Sequence, residues 1–81
     1  MHYVYMIQSE ADKTQRYTGY SADPKTRMRY HNAGKSPHTS KHRPWRLVFY
    51  SAFATKQKAL DFERYLKSHS GKAFAAKRLI P

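Results

Sequence analysis

The run from Trp45 to Ala54, WRLVFYSAFA, constrains this chain more than any other stretch. Aromatic, β-branched and small apolar side chains fill it, broken only by Arg46 and Ser51. It is far shorter than the ~20 apolar residues a bilayer-spanning helix needs. It reads as a β-strand, and its near-continuous apolarity predicts the central place in a sheet. A lone strand has no stable existence, so the rest of the chain must supply its sheet partners and its cover.

The partners are legible at the N-terminus. HYVYMIQS alternates Tyr3, Tyr5 and Ile7 on one face, and RYTGYS follows after the polar, turn-like EADKTQ. The two segments predict an antiparallel hairpin over residues 2–21. Gly19 inside the second strand implies a bulge or the close approach of another group to the backbone. The cover is helical. Asp23-Pro24 is a helix start, with Asp taking the orphan N–H groups and Pro suiting the first helical position. That helix should run to Asn32 or Ala33 and stop at Gly34. KSPHTSKHRP, with two prolines and no aliphatic residue, reads as a surface loop. Thr55 caps a further helix running to Ser68, and SGKAFAAKRLI closes the chain with a short helix. The order is β-β-α-β-α-α: an α+β fold, with a small three-stranded antiparallel sheet flanked by helices. Eighty-one residues hold one core, so a single domain over 1–81 is expected.

Charge narrows the partners. Sixteen Lys and Arg against five Asp and Glu give a net charge of +11. A compact fold carrying such an excess repels itself, and a polyanion relieves that repulsion. Nucleic acid comes first and an anionic membrane surface second; a surface made basic only for solubility is the plain alternative. With no cysteine there is no disulfide partner and no thiolate metal site. MHYVYMIQSEAD is too short and too polar for a signal peptide. The expected setting is cytoplasmic, with no membrane partner, as a monomer or weak dimer.

Within this frame a few side chains stand in chemically suggestive places. At ~100° per residue, Arg27 and His31 lie about 40° apart on one helix face. Arg presents a planar fork of donors suited to phosphate oxygens, and His exchanges a proton near neutral pH. An exposed basic helix face accounts for the same spacing. On the next helix, with Ala59 as origin, Glu63 falls at about 40°, inside the apolar arc of Leu60, Phe62 and Leu66, whereas Asp61 falls near 200°. An inward carboxylate needs a partner to offset its desolvation. A salt bridge to one of the sixteen bases and a Mg²⁺ or Mn²⁺ ion satisfy that need equally well. Tyr3, Tyr5, Tyr17 and Tyr20 gather in the hairpin; some must be core, and Tyr5 and Tyr17 could face a phosphate or a water. A tyrosine of ordinary pKa, about 10, is a poor base without help from a neighbour. His38 and His42 have a zinc-like spacing, but no Cys completes a set. Lys35, Lys41 and Arg43 of the loop, with Trp45 beyond, read better as contacts to a nucleic-acid backbone.

YVY at 3–5, YTG at 17–19, the Arg27-x-x-x-His31 helix, the loop TSKHRPW, the strand RLVFY and Glu63 in ALDFERYLK together resemble the GIY-YIG (URI-domain) endonucleases. The likeness spans nearly the whole chain and is nearest to the small stand-alone bacterial members. Tyr3 stands where the first motif has Gly, Thr18 where the second has Ile, and no asparagine follows Glu63. The resemblance implies divalent-metal-dependent hydrolysis of DNA phosphodiester bonds, with Glu63 holding one Mg²⁺ or Mn²⁺. Arg27 would neutralise charge on the phosphoryl oxygens, and Tyr5 would activate the attacking water with His31 as its proton acceptor or orienter. Tyr17 would position phosphate or water. Without an attached recognition module, sequence specificity is expected to be low or to come from a partner, a dimer or the basic loop, and the strand state of the DNA stays open. A nucleic-acid-binding module that keeps the fold without cutting, and a basic RNA-associated protein, are the competing readings.

Overall fold

The computed structural model describes residues 1–81 and pairs β1 (His2–Ser9) with β2 (Arg16–Ser21) as the antiparallel hairpin the alternation predicts. After α1 (Pro24–Asn32) and a loop containing one 3-10 turn (Ser40–His42), β3 (Trp45–Phe53) returns antiparallel to β1. α2 (Lys56–Lys67) and α3 (His69–Arg78) follow. The fold is α+β in the predicted order, and no helix is long and apolar enough to cross a membrane.

One expectation is overturned. The sheet order is β2-β1-β3, so the apolar run at 45–53 forms an edge and β1 is central. Burial of both faces decides this, not apolarity as such. On one side of β1, Val4 and Met6 pack with Ala59, Leu66 and Ala75 from α2 and α3. On the other side, Tyr5 and Ile7 pack with Trp45, Tyr17 and Met28 beneath α1. β3 contributes Val48, Phe49 and Phe53 to the first cluster but leaves Leu47 36% and Tyr50 59% exposed. β1 looked weaker in sequence because it carries polar residues into the interior. Gln8 and Ser9 are buried there, Gln8 donating to the Lys13 carbonyl (3.0 Å) and Ser9 to that of His42 (2.6 Å).

The helix ends follow the predicted chemistry. Asp23 accepts from the Thr26 backbone N–H (3.3 Å) and hydroxyl (2.7 Å), which fixes the direction in which α1 leaves the hairpin. α1 stops at Ala33, and Gly34 turns the chain at φ +78°. Thr55 accepts from the Lys58 N–H (3.2 Å) and starts α2. Ser68 ends α2 and caps α3 by accepting from the Gly71 N–H (3.1 Å). α1 thus lies over one sheet face and α2 over the other.

Candidate active site

The site begins with an absent side chain. Tyr5 lies in register opposite Gly19. A Cβ at Gly19 would sit 2.6 Å from Tyr5 Cζ and 2.9 Å from Cε1, so only glycine lets the phenol ring lean across β2. The close approach implied by a glycine within a strand is that of Tyr5. Beside it, Tyr17 pairs with Ile7 across the hairpin, and its ring centroid lies 6.5 Å from that of Tyr5.

α1 brings the imidazole. His31, in its last turn, is 2% exposed, so the reading of this face as merely solvated fails at that residue. His31 Nε2 lies 2.8 Å from the Tyr5 hydroxyl, and its ring centroid is 5.1 Å from that of Tyr17. The other nitrogen, Nδ1, lies 2.8 Å from Thr39 Oγ1. Arg27, one turn earlier, stays exposed, its guanidinium 4.6 Å from the centroid of the Tyr30 ring. The Arg27 charge still reaches both members of the Tyr5–His31 pair.

α2 supplies the carboxylate. The Glu63 side chain is 19% exposed against 53% for Asp61, which matches the helical-wheel contrast. Glu63 Oε2 accepts an ion pair from Lys67 Nζ at 3.1 Å, and the same ammonium lies 6.0 Å from the Tyr17 ring centroid. Charge partnership at Glu63 is therefore met inside the chain by a base four residues on. Glu63 is also near enough for its charge to act on the Tyr5 hydroxyl.

These neighbours set the protonation states. Burial pushes the Tyr5 hydroxyl up to about 12; adjacent Tyr17 and Glu63 add to the rise and Arg27 opposes it. Burial, and then the Arg27 cation, hold the His31 imidazole below its ordinary 6.5. At neutral pH the pair is a phenol hydrogen-bonded to an uncharged imidazole. Such a pair can pass a proton from oxygen to nitrogen in response to a reacting group.

Of the five residues singled out in sequence, Tyr5, Tyr17 and His31 stand in mutual contact, while Arg27 and Glu63 lie near enough for their charges to act on Tyr5. The expected nucleic-acid contacts Lys35, Lys41 and Arg43 are all exposed. Arg43 is partly employed within its own loop: its Nε donates to the Ser40 carbonyl (3.0 Å) and its guanidinium lies over Gly34. No group of three His, Cys, Asp or Glu side chains is placed to hold a metal, His38 and His42 included. Glu63 is the carboxylate nearest this group, and its partner within the chain is Lys67.

Sequence reasoning missed what holds His31. KSPHTSKHRP is not simply a surface loop: Ser36 is 6% exposed and Thr39 fully buried. Thr39 donates its backbone N–H to the Ser36 carbonyl (3.2 Å), and its carbonyl accepts from the Trp45 indole (2.8 Å). Asn32 clasps the Trp45 backbone, accepting from its N–H (2.6 Å) and donating to its carbonyl (3.1 Å). The only signals were a small hydroxyl residue amid bases and the sole asparagine at the end of α1.

Comparison with known proteins places the chain in a family. The chain is 39% identical over 70 residues to a UPF0213 protein of Haloquadratum walsbyi, covering 85% of this chain and 76% of that one. A UPF0213 protein of Streptococcus pyogenes is 41% identical over 66 residues, covering 80% of this chain and 70% of that one. The solution NMR structure of the UPF0213 protein BH0048 from Bacillus halodurans superposes with a TM-score of 0.56 at 34% identity, covering 94% of this chain and 82% of that one. The family model described as the GIY-YIG catalytic domain matches residues 1–78, and the chain belongs to the GIY-YIG family.

Proposed function

We propose that this protein is a divalent-metal-dependent endonuclease that hydrolyses DNA phosphodiester bonds with little sequence preference of its own. Single-stranded and branched DNA are the first substrates to try. Family membership supports nuclease chemistry in general. The observation that carries the specific reading is the 2.8 Å hydrogen bond between a Tyr5 hydroxyl held at about 12 and an uncharged His31, beside an exposed Arg27.

A phenol of that pKa is useless as a free phenolate base at neutral pH. Coupled to His31 it need never become one. The attacking water gives a proton to the Tyr5 oxygen while the Tyr5 proton passes to His31 Nε2. The nascent hydroxide bonds to phosphorus as the bond from phosphorus to the leaving oxygen breaks; its electron pair stays on that oxygen, which takes a proton from solvent while His31 later returns its own. Proton relay of this kind contributes on the order of 10²–10⁴ in rate. Arg27 faces the phosphoryl oxygens, where a fixed cation is worth about 10²–10³. Tyr17 donates its hydroxyl to the phosphate or orients the water. Glu63 would hold the Mg²⁺ or Mn²⁺, which when bound supplies positive charge at the phosphate and acidifies its own water. Lys35, Lys41 and Arg43 would bind the flanking backbone, with affinity falling steeply as salt rises.

One observation favours a second reading, a binding module that does not cut: Lys67 already neutralises Glu63. A nicking assay on plasmid and on single-stranded and branched oligonucleotides separates the two. The nuclease reading expects cleavage with Mg²⁺ or Mn²⁺, none in EDTA, and loss in Glu63→Ala and Arg27→Ala. Tight binding without cleavage in either ion would favour the module, and equal cleavage in EDTA would remove the metal role of Glu63.

A further inference from the structure

The buried imidazole has two hydrogen-bond partners that can each either donate or accept. Tyr5 and Thr39 are both hydroxyls, at 2.8 Å from Nε2 and 2.8 Å from Nδ1 respectively. An uncharged imidazole carries one proton, so two tautomers satisfy the distances. They are not equivalent for proton transfer. Only with the proton on Nδ1 does Nε2 present a lone pair to the Tyr5 hydroxyl.

Two features of the site break the tie. The first is the position of charge. The Arg27 guanidinium acts on both the Tyr5 oxygen and the His31 ring. A cation draws the lone pairs of the Tyr5 oxygen toward itself and turns the hydroxyl proton away, toward Nε2. The second feature is the mounting of Thr39. This residue is fully buried and held from both sides of its peptide, by Ser36 and by the Trp45 indole. Trp45 is in turn clasped by Asn32, the residue that follows His31 on α1. The hydroxyl is thus fixed relative to the very helix turn that bears the imidazole, as the partner that orients a histidine must be.

We infer that Thr39 is the positioning residue for His31, accepting its Nδ1–H so that Nε2 is free to take the Tyr5 proton. Thr39 touches no reacting atom; it acts through the imidazole. The inference deepens the proposed water activation and rests on that reading for its effect on rate, but the tautomer itself can be observed independently.

The test pairs long-range ¹H–¹⁵N spectra of His31 with single-turnover cleavage by wild type, Thr39→Ser and Thr39→Val. Wild type and Thr39→Ser should carry the proton on Nδ1 and cut at similar rates. Thr39→Val, of nearly the same shape, should shift the proton toward Nε2 and cut on the order of 10²-fold more slowly. A purely structural Thr39 would instead lower the melting temperature and leave both the tautomer and the rate per folded molecule unchanged. Nε2–H in the wild type, or a Thr39→Val protein of wild-type tautomer or rate, overturns the inference. Should the wild type cut nothing while showing Nδ1–H, the nuclease reading falls and the tautomer assignment stands.

Discussion

The molecule contains two tyrosine–histidine hydrogen bonds of nearly equal length, and they sit on the same hairpin. Tyr5 meets His31 at 2.8 Å and Tyr20 meets His2 at 2.7 Å. Chemically the pairs are alike; their surroundings are not. His31 is engaged at both ring nitrogens, whereas His2 is bonded through Nδ1 alone. Tyr5 and His31 are 1% and 2% exposed, while His2 and Tyr20 are half-buried. Arg27 acts on the first pair; Lys56 stands 5.9 Å from the centroid of the Tyr20 ring beside the second. The difference teaches that a tyrosine–histidine contact is not by itself a proton relay. Burial and a neighbouring cation set the ionisation states, and a second partner holds the ring.

Substitution of the two imidazoles should show the widest gap. His31→Asn should lower cleavage by roughly 10²–10⁴-fold, and His2→Asn should leave it at wild type in the same plasmid-nicking assay. Equal losses would erase the distinction. Gly19→Ala comes next, because its Cβ would collide with the Tyr5 ring and push the phenol off His31. Expected are a clear fall in single-turnover rate and a destabilisation of about 1–3 kcal/mol by urea melts. A fully active Gly19→Ala protein would show that the Tyr5 position is not critical.

The pH response follows from the same pair. His31 must be uncharged to accept a proton and is held below 6.5, so cleavage should rise with pH along a limb below 6.5 and be flat at neutrality. Stability carries the same sign. The unfolded chain binds the proton more readily, so stability present above 6.5 is lost as pH falls through the lower folded value. Tyr5 acts at the other extreme, its contribution being present below 10.0 and lost as pH rises toward about 12. A rate limb centred well above 6.5 would contradict a buried neutral His31. The smallest effect belongs to the second pair: Tyr20→Phe removes one half-buried hydrogen bond and should cost about 0.5–1.5 kcal/mol in thermal unfolding.

What could be foreseen from sequence was whatever depends on local periodicity or local backbone chemistry. Asp23-Pro24 and Thr55 mark helix starts because caps act within three residues, whereas the capping of α3 by Ser68 went unread. The inward turn of Glu63 and the pairing of Arg27 with His31 follow from the helical repeat alone. Gly19 announced a close approach, though not by which residue. Sheet order was not legible in the same way: WRLVFYSAF looks central because one exposed face of an edge strand is as apolar as a buried one, with Leu47 and Tyr50 in the open. Nor was Thr39. It meets His31 across eight residues of proline-broken loop, where no periodicity reports which way a side chain points. The Glu63–Lys67 pair was legible as a need for a cation, but spacing could not say whether lysine or metal meets it.

The central claim is that Tyr5 with His31, and not merely a basic surface, cuts the phosphodiester bond. The most direct measurement is single-turnover cleavage of one DNA substrate in Mg²⁺ by wild type, Tyr5→Phe and Tyr20→Phe at equal folded concentration. Each variant loses one hydroxyl from one tyrosine–histidine pair. The account predicts that Tyr5→Phe binds the DNA as wild type does but cleaves it at least about 10²-fold more slowly, with Tyr20→Phe indistinguishable from wild type. A Tyr5→Phe protein that cuts at the wild-type rate would contradict it.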